Sequence, residues 1–157
     1  MKLTVVAVGR PGALLADAIG EYERRAQRYW PLDVVEVRQE RGSRGNDQAV
    51  REAESKRAID RVPPGHSIFA LTRTGDPLSS LRLARLLDTM ATQAQPGAAF
   101  LIGGALGLSD DALRIADRRL RLSTMTLPHD LARLVLAEQL YRAGTISRRE
   151  PYHKGGE

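Results

Sequence analysis

The sequence predicts one α/β domain: a parallel sheet with helices on both faces. Three observations predict it. Short β-branched runs alternate with longer stretches of helical periodicity along the whole chain, the pattern of βαβ units. Glycine and proline punctuate most of the junctions. And 157 residues without a repeat, a low-complexity stretch or a break in composition suit a single domain, residues 1–157, with enough chain to bury a core.

The elements follow in order. Residues 3–8 (LTVVAV) are a buried strand, ended by Gly9 and Pro11. Residues 12–29 put Leu15, Ile19, Tyr22 and Ala26 at helical spacing, and Pro31 stops them. Residues 34–37 (VVEV) are a second strand. The polar stretch RQERGSRGND, residues 38–47, is the candidate mobile loop. A charged helix over 47–61 is stopped by Pro63, Pro64 and Gly65. Residues 67–71 (SIFAL) are a third strand, 72–77 a turn, and 78–93 a helix opened by Ser79 and Ser80. Pro96 and Gly97 lead into a fourth strand, 98–102 (AAFLI), closed by Gly103 and Gly104. Ser109 with Asp110 and Asp111 is an N-cap for a helix to about Ala116. A fifth strand spans 120–123, and the last helix runs over 130–146.

Composition narrows the function classes. Lysine and arginine number 24 against 19 acids, a net charge of +5, and Lys2, Lys56 and Lys154 are the only lysines. An arginine-rich surface favours a polyanionic partner, because the guanidinium pairs with phosphate in a bidentate way and stacks on bases. A solvated surface that binds nothing fits the same charge. The chain has no cysteine, which excludes disulfides, thiolate nucleophiles and Fe–S ligation, and fits a cytoplasmic protein. No stretch approaches the roughly 18 apolar residues of a membrane span. His66, His129 and His153 lie far apart without ligand-pair spacing, so no metal site is expected.

In an open α/β sheet, ligands bind beyond the carboxyl ends of the strands. The stretches at 71–75 and 102–107 and the end of the opening strand are the candidates. GGALG is neither GxGxxG nor a P-loop, since no Lys-Ser/Thr follows. It marks either a tight strand-to-helix turn or a close approach of backbone to a ligand. In the last helix Leu131, Leu134, Val135, Leu136, Leu140 and Tyr141 cover more than the usual ~100° apolar stripe, so that helix is expected to meet a subunit partner as well as the core. Glu138 and Arg142 have ion-pair spacing; alternatively Arg133 and Arg142 serve an anionic substrate. His129, at the helix start, reads as a structural residue. In the basic tail, Tyr152, His153 and Lys154 together could stack on a base and hold a phosphate.

Taken together, FLIGGALGLS, then LRLSTMTLPHDLARLVLAEQLYRA, then PYHK resemble the SPOUT-class methyltransferases that modify N3 of a pseudouridine in large-subunit ribosomal RNA; MKLTVVAVG and ALTRTG are similar too. The resemblance covers nearly the full length. It implies a SPOUT-type domain with a C-terminal trefoil knot over about 98–157, a cytoplasmic homodimer, S-adenosyl-L-methionine as methyl donor, and the ribosome as partner. By position it implies cofactor contacts at Leu71, Gly103, Leu122, Ser123, Thr124, Met125, Thr126 and Leu127. A sulfonium ligand without phosphate needs an apolar slot and free backbone groups rather than an anion cradle. For the reaction the resemblance implies, His153 is the candidate base because its intrinsic pKa suits neutral pH, Tyr152 could stack on the nucleobase, and Arg142, Arg133 and Lys154 are the candidate phosphate or catalytic contacts. Arg73 and Asp76 depart from the family's pattern. Alternatives are a SPOUT methyltransferase of tRNA, a non-catalytic RNA-binding module, and a flavodoxin-like protein. The last would want Ser/Thr where Gly9 to Gly12 stand.

Overall fold

Strands and helices alternate from one end of the chain to the other in the computed structural model, which describes residues 1–41 and 45–153, without the side chain of His153. The elements are β1 (Lys2–Val8), α1 (Ala13–Ala26), β2 (Leu32–Val37), α2 (Asp47–Ile59), β3 (His66–Pro77), α3 (Ser80–Thr92), β4 (Gly97–Ile102), α4 (Asp110–Ile115), β5 (Arg118–Arg121) and α5 (His129–Ser147), followed by a 3-10 turn, Pro151–His153. The five strands form one sheet in the order β2-β1-β4-β3-β5, and every pair is parallel. Residues 42–44 of the candidate mobile loop lie outside the described residues.

The most apolar strands sit in the middle of that order. All six residues of β4 are buried, as are six of the seven in β1, because strands with neighbours on both edges and helices on both faces meet no water. The pleat then sorts the side chains. Leu3, Val5, Ala7, Phe69, Phe100 and Leu120 pack under α1, α3 and α5 with Leu87, Leu136 and Leu140. Val6, Val8, Ala70 and Leu101 pack under α2 and α4 with Ala58 and Ala112. Phe69 and Phe100 stack across β3 and β4 with centroids 5.1 Å apart. The expected caps are formed: Ser79 accepts from the Arg82 amide, and Ser109 from the Ala112 amide.

Two expectations need correcting. Residues 72–77 are not a turn that ends β3. Leu71 and Asp76 both pair with Leu120, so residues 72–75 bulge out and the strand re-engages, with Pro77 opposite Arg121. Gly75 makes this geometry fit, because a Cβ there would come within 2.6 Å of the Leu120 carbonyl carbon. And β5 sits at 118–121 rather than 120–123, which leaves residues 122–127 outside the sheet.

The wide apolar face of α5 is satisfied in part within the chain. Leu136, Ala137, Leu140 and Ala143 are buried, and Trp30 Nε1 donates to the Leu140 carbonyl at 2.9 Å. Leu131 remains exposed, and Leu134, Val135 and Tyr141 are half-buried.

Candidate active site

Parallel strands put all their carboxyl ends on one side of the sheet. β4, β3 and β5 are neighbours in that order, so Gly103 and Leu122, just past the ends of β4 and β5, flank Leu71, where β3 bulges out of its ladder, with about 4.8 Å from strand to strand. Leu71 and Leu122 are both half-buried against the core under α1, α3 and α5. They offer apolar surface at its rim.

Gly103 opens a turn that closes on itself. Gly104 and Gly107 form an isolated bridge, the Gly107 amide donates to the Gly104 carbonyl at 3.0 Å, and Gly107 has φ +78°. A Cβ on Gly103 would lie 2.5 Å from the Gly107 carbonyl carbon. Of the two readings of this motif, the tight turn accounts for Gly103 by itself.

Residues 122–127 form one of the chain's sparsely bonded junctions. Among the described residues, their backbone groups make no hydrogen bond to other backbone outside the regular elements. The Met125 amide is taken by Ser123 Oγ at 3.0 Å. Thr124, Met125 and Thr126 are exposed, with Met125 at 76%. Pro128 lacks an amide hydrogen, so the segment runs into α5 without continuing a ladder. Asp130 then fixes the segment's far end: its Oδ2 accepts from the Gly12 amide at 2.7 Å, and His129 Nε2 sits 3.0 Å from its Oδ1. His129 is thus part of a structural tie to the start of α1.

The second group of candidates lies at the other end of α5. Arg142 donates from Nη2 and Nε to Glu138 Oε1 at 2.6 and 3.0 Å, and the Tyr152 hydroxyl donates to the same oxygen at 3.1 Å. The Arg142 guanidinium stands 4.9 Å from the Tyr152 ring centroid, and Tyr152 tilts against Tyr141 at 4.6 Å. Burial, then Tyr22 and Glu138 beside it, push the Tyr152 hydroxyl well above the ordinary phenol range, so it carries its proton as a donor. Tyr22 on α1 and Tyr29 in the turn after it complete the cluster, at 6.3 and 5.7 Å from Tyr141. The Tyr29 hydroxyl donates to Glu150, which fastens the start of the tail. Gly144 leaves the space for this, because a Cβ there would come within 2.3 Å of the Tyr29 ring.

The structure does not bring the two groups together in one chain. Thirteen residues of α5 separate His129 from Arg142, roughly 20 Å along the helix axis. Nor does it leave Arg133 open to a phosphate. Arg133 is 6% exposed, with Glu23 Oε1 at 2.8 Å from its Nε and Glu36 Oε1 at 2.7 Å from its Nη1. Two carboxylates hold one guanidinium, which makes its role structural and corrects the expectation that it meets an anionic substrate. The side chain of His153 and all of Lys154 lie outside the described residues. Reading the sequence missed two polar residues of α2. Glu54 is 4% exposed, and Ser55, 1% exposed, accepts from the Ser109 amide at 2.8 Å. The signal for them is weak: an acid and a serine inside a charged helix read as solvated.

A parallel sheet with this order, a tight glycine turn and a sparsely bonded segment ahead of a long C-terminal helix define an α/β protein whose candidate site lies beyond the carboxyl ends of its strands. Residues 1–153 match the family model described as predicted SPOUT methyltransferase, and the chain belongs to that family. It is 48% identical over 155 residues to the ribosomal RNA large subunit methyltransferase H of Gemmatimonas aurantiaca, covering 98% of this chain and all of that one. The protein of the same name from Syntrophotalea carbinolica is 40% identical, covering 98% and 99% of the two chains. Among solved structures, a probable methyltransferase from Bordetella pertussis shares the fold. Its TM-score is 0.55 at 16% identity, with 90% of this chain and 95% of that one covered. Among the described residues no helix is long and apolar enough to cross a membrane, and no group of three His, Cys, Asp or Glu is placed to hold a metal ion.

Proposed function

We propose that this chain methylates N3 of a pseudouridine in large-subunit (23S) ribosomal RNA, with S-adenosyl-L-methionine as donor. It acts on the assembled ribosome, as a cytoplasmic homodimer. Residues 1–157 are one SPOUT domain, and the chain from about residue 98 forms the trefoil knot. One observation carries the reading: near-full-length likeness to proteins named as large-subunit ribosomal RNA methyltransferases.

The residues present suit such a donor. Leu71 and Leu122 supply apolar walls for an adenine ring, and the backbone of 123–127 supplies amide and carbonyl groups with no other backbone partner among the described residues. No phosphate has to be cradled, which agrees with a glycine turn that closes on itself. S-adenosyl-L-methionine supplies a methyl group on a sulfonium: the N3–carbon bond forms as the carbon–sulfur bond breaks, sulfur keeps the electron pair, and N3 gives up its proton. The protein's part is alignment, which can contribute up to about 7–11 kcal/mol in such displacements, and removal of that proton. His153 is assigned the proton, directly or through a water. Tyr152 stacks on the base, Arg142 and Lys154 hold phosphate or developing charge, and Arg133 is left to its structural role. Because Arg142 and residues 122–127 are far apart within a chain, a working site joins the open segment of one subunit to the tail of the other.

Calorimetry with S-adenosyl-L-methionine, followed by methyl transfer to ribosomes, free 23S RNA and tRNA, tests this. Transfer to ribosomes, with the methyl mapped to a pseudouridine, is expected. Transfer to tRNA instead, or cofactor binding that is absent, would sink the reading.

A further inference from the structure

We infer that the carboxyl ends of β1 and β2 carry a second contact surface for the RNA backbone, made of Arg10, Arg38 and Arg41. The inference rests on the function proposed above and adds the part of the chain that grips the substrate away from the reacting base. β1 and β2 pair up to Val8 opposite Val37, and the Gly9 amide donates to the Val37 carbonyl at 2.8 Å. The two segments therefore leave the sheet together, with Arg10 just beyond one and Arg38 just beyond the other. The Arg10 side chain is 90% exposed, and its acid neighbour Glu36 lies 3.6 Å away with its other oxygen held by Arg133. A pair that long and that wet contributes little, so it exchanges readily for a phosphate. Arg38 and Arg41 are exposed as well.

This segment is held by the fold. Arg57 on α2 donates to the Arg38 carbonyl at 3.0 Å and pairs with the Glu40 carboxylate, which holds Glu40 below the usual carboxylate range. The Gln39 side chain packs on Gly9, where φ is +85° and a Cβ would come within 2.8 Å of the amide carbon. Glu54 accepts from the Glu40 amide at 2.9 Å, while its other oxygen would stand 2.7 Å from a Cβ on Gly104. One buried carboxylate thus touches both the arginine segment and the glycine turn. The local acids Glu36 and Glu40 face protein partners and the three arginines face solvent, at a fixed offset from the proposed cofactor segment. Exposed guanidinium groups beside a methyl-transfer site fit phosphates, which position a nucleic acid without reading its sequence.

The test is binding of ribosomal particles across a salt series, by the wild type and by Arg10→Gln/Arg38→Gln/Arg41→Gln. A control variant, Arg28→Gln/Arg61→Gln/Arg118→Gln, removes three exposed charges at the amino end of the sheet. The first variant is expected to lower the log–log salt slope by about 2–3, at roughly 0.7–0.9 per phosphate contact, and to weaken binding at least ~10-fold near 0.1 M salt. The control should stay within about threefold, and S-adenosyl-L-methionine affinity should be unchanged in both. Equal slopes and equal losses in the two variants would overturn the surface. Wild-type methyl transfer to ribosomes is read in parallel. If it is absent while the selective loss of salt-dependent binding persists, the surface stands and the assigned reaction falls.

Discussion

Residues 122–127 and residues 138–152 are the two halves of the candidate site, and they are built in opposite ways. In the first, backbone groups have no backbone partners among the described residues, and three of six side chains are exposed. In the second, nearly every polar group is engaged: Arg142 and Tyr152 share one oxygen of Glu138, Tyr29 holds Glu150, and four tyrosine rings pack on one another. The difference teaches how one small domain divides its work. A ligand read by backbone needs a segment whose hydrogen bonds are left open until it arrives. A group that aligns a substrate needs its side chains fixed beforehand, since reorganising them during reaction would cost rate. The distance between the halves is why the proposed site draws on a second copy of the chain.

The largest expected effect falls on the open half. Gly103→Val puts a branched side chain where a Cβ alone would be 2.5 Å from backbone, so the turn beside Leu71 and Leu122 must shift. A displacement of about 1 Å is enough for a loss on the order of 100-fold. Turnover should fall about that far and S-adenosyl-L-methionine affinity by calorimetry should fall with it, while circular dichroism shows the sheet intact. Undiminished affinity would mean the glycine turn is not part of the slot.

Much of this architecture was legible from local pattern, and the exceptions share a cause. Alternating runs located β1, β2 and β4 and the first half of β3, and Ser79 and Ser109 announced two helix starts, because these are properties of neighbouring residues. The continuation of β3 past Gly75 was not legible, since it depends on the backbone of β5 some 45 residues on. Arg133 read as a phosphate ligand because its two carboxylates are 110 and 97 residues away in sequence. The tyrosine cluster joins the turn after α1 to the tail across 121 residues. One signal could have pointed to it: Gly144 inside a helix, where glycine costs about 1 kcal/mol relative to alanine and so often marks a close neighbour.

The next effect separates the halves by chemistry. Arg142→Ala removes a fixed cation from the bonded half only. Turnover should drop roughly 100- to 1000-fold, with S-adenosyl-L-methionine affinity within about twofold of wild type. A parallel loss of cofactor binding would erase the distinction. The two variants can also be mixed. If each site joins the open segment of one subunit to the tail of the other, re-equilibrated Gly103→Val and Arg142→Ala chains should regain about a quarter of wild-type activity, because half the dimers are mixed and each has one intact site. No recovery would place both halves within one subunit.

Arg133 tests the scaffold that joins them. Replacing it by methionine keeps the stem and removes the buried charge, leaving Glu23 and Glu36 to face each other. Both carboxylates reach solvent, at 15% and 31% exposure, so the cost should fall below the 3–5 kcal/mol of a fully buried broken pair, at about 1–3 kcal/mol. Thermal unfolding reads this directly. A variant with wild-type stability but weakened RNA binding would return Arg133 to the substrate.

The smallest effect is a titration. The hydrogen bond from Tyr29 to Glu150, and then burial, raise the Tyr29 hydroxyl from its ordinary 10 to about 12. The folded state therefore favours the protonated phenol. Its contribution is fully present below pH 10 and is lost as pH rises towards 12, the reverse of the acid side, where depressed carboxylates such as Glu40 lose theirs as pH falls. Tyrosinate absorbance should show Tyr29 and Tyr152 ionising late, and Tyr29→Phe should remove one of the two delayed steps. At neutral pH the same variant should cost on the order of 1 kcal/mol, since the bond is partly solvated. It should also release Glu150 and so lower turnover a few-fold with cofactor affinity unchanged. An unaltered titration curve in Tyr29→Phe would show that the tail is not fastened at Glu150, and that the second half of the site is as open as the first.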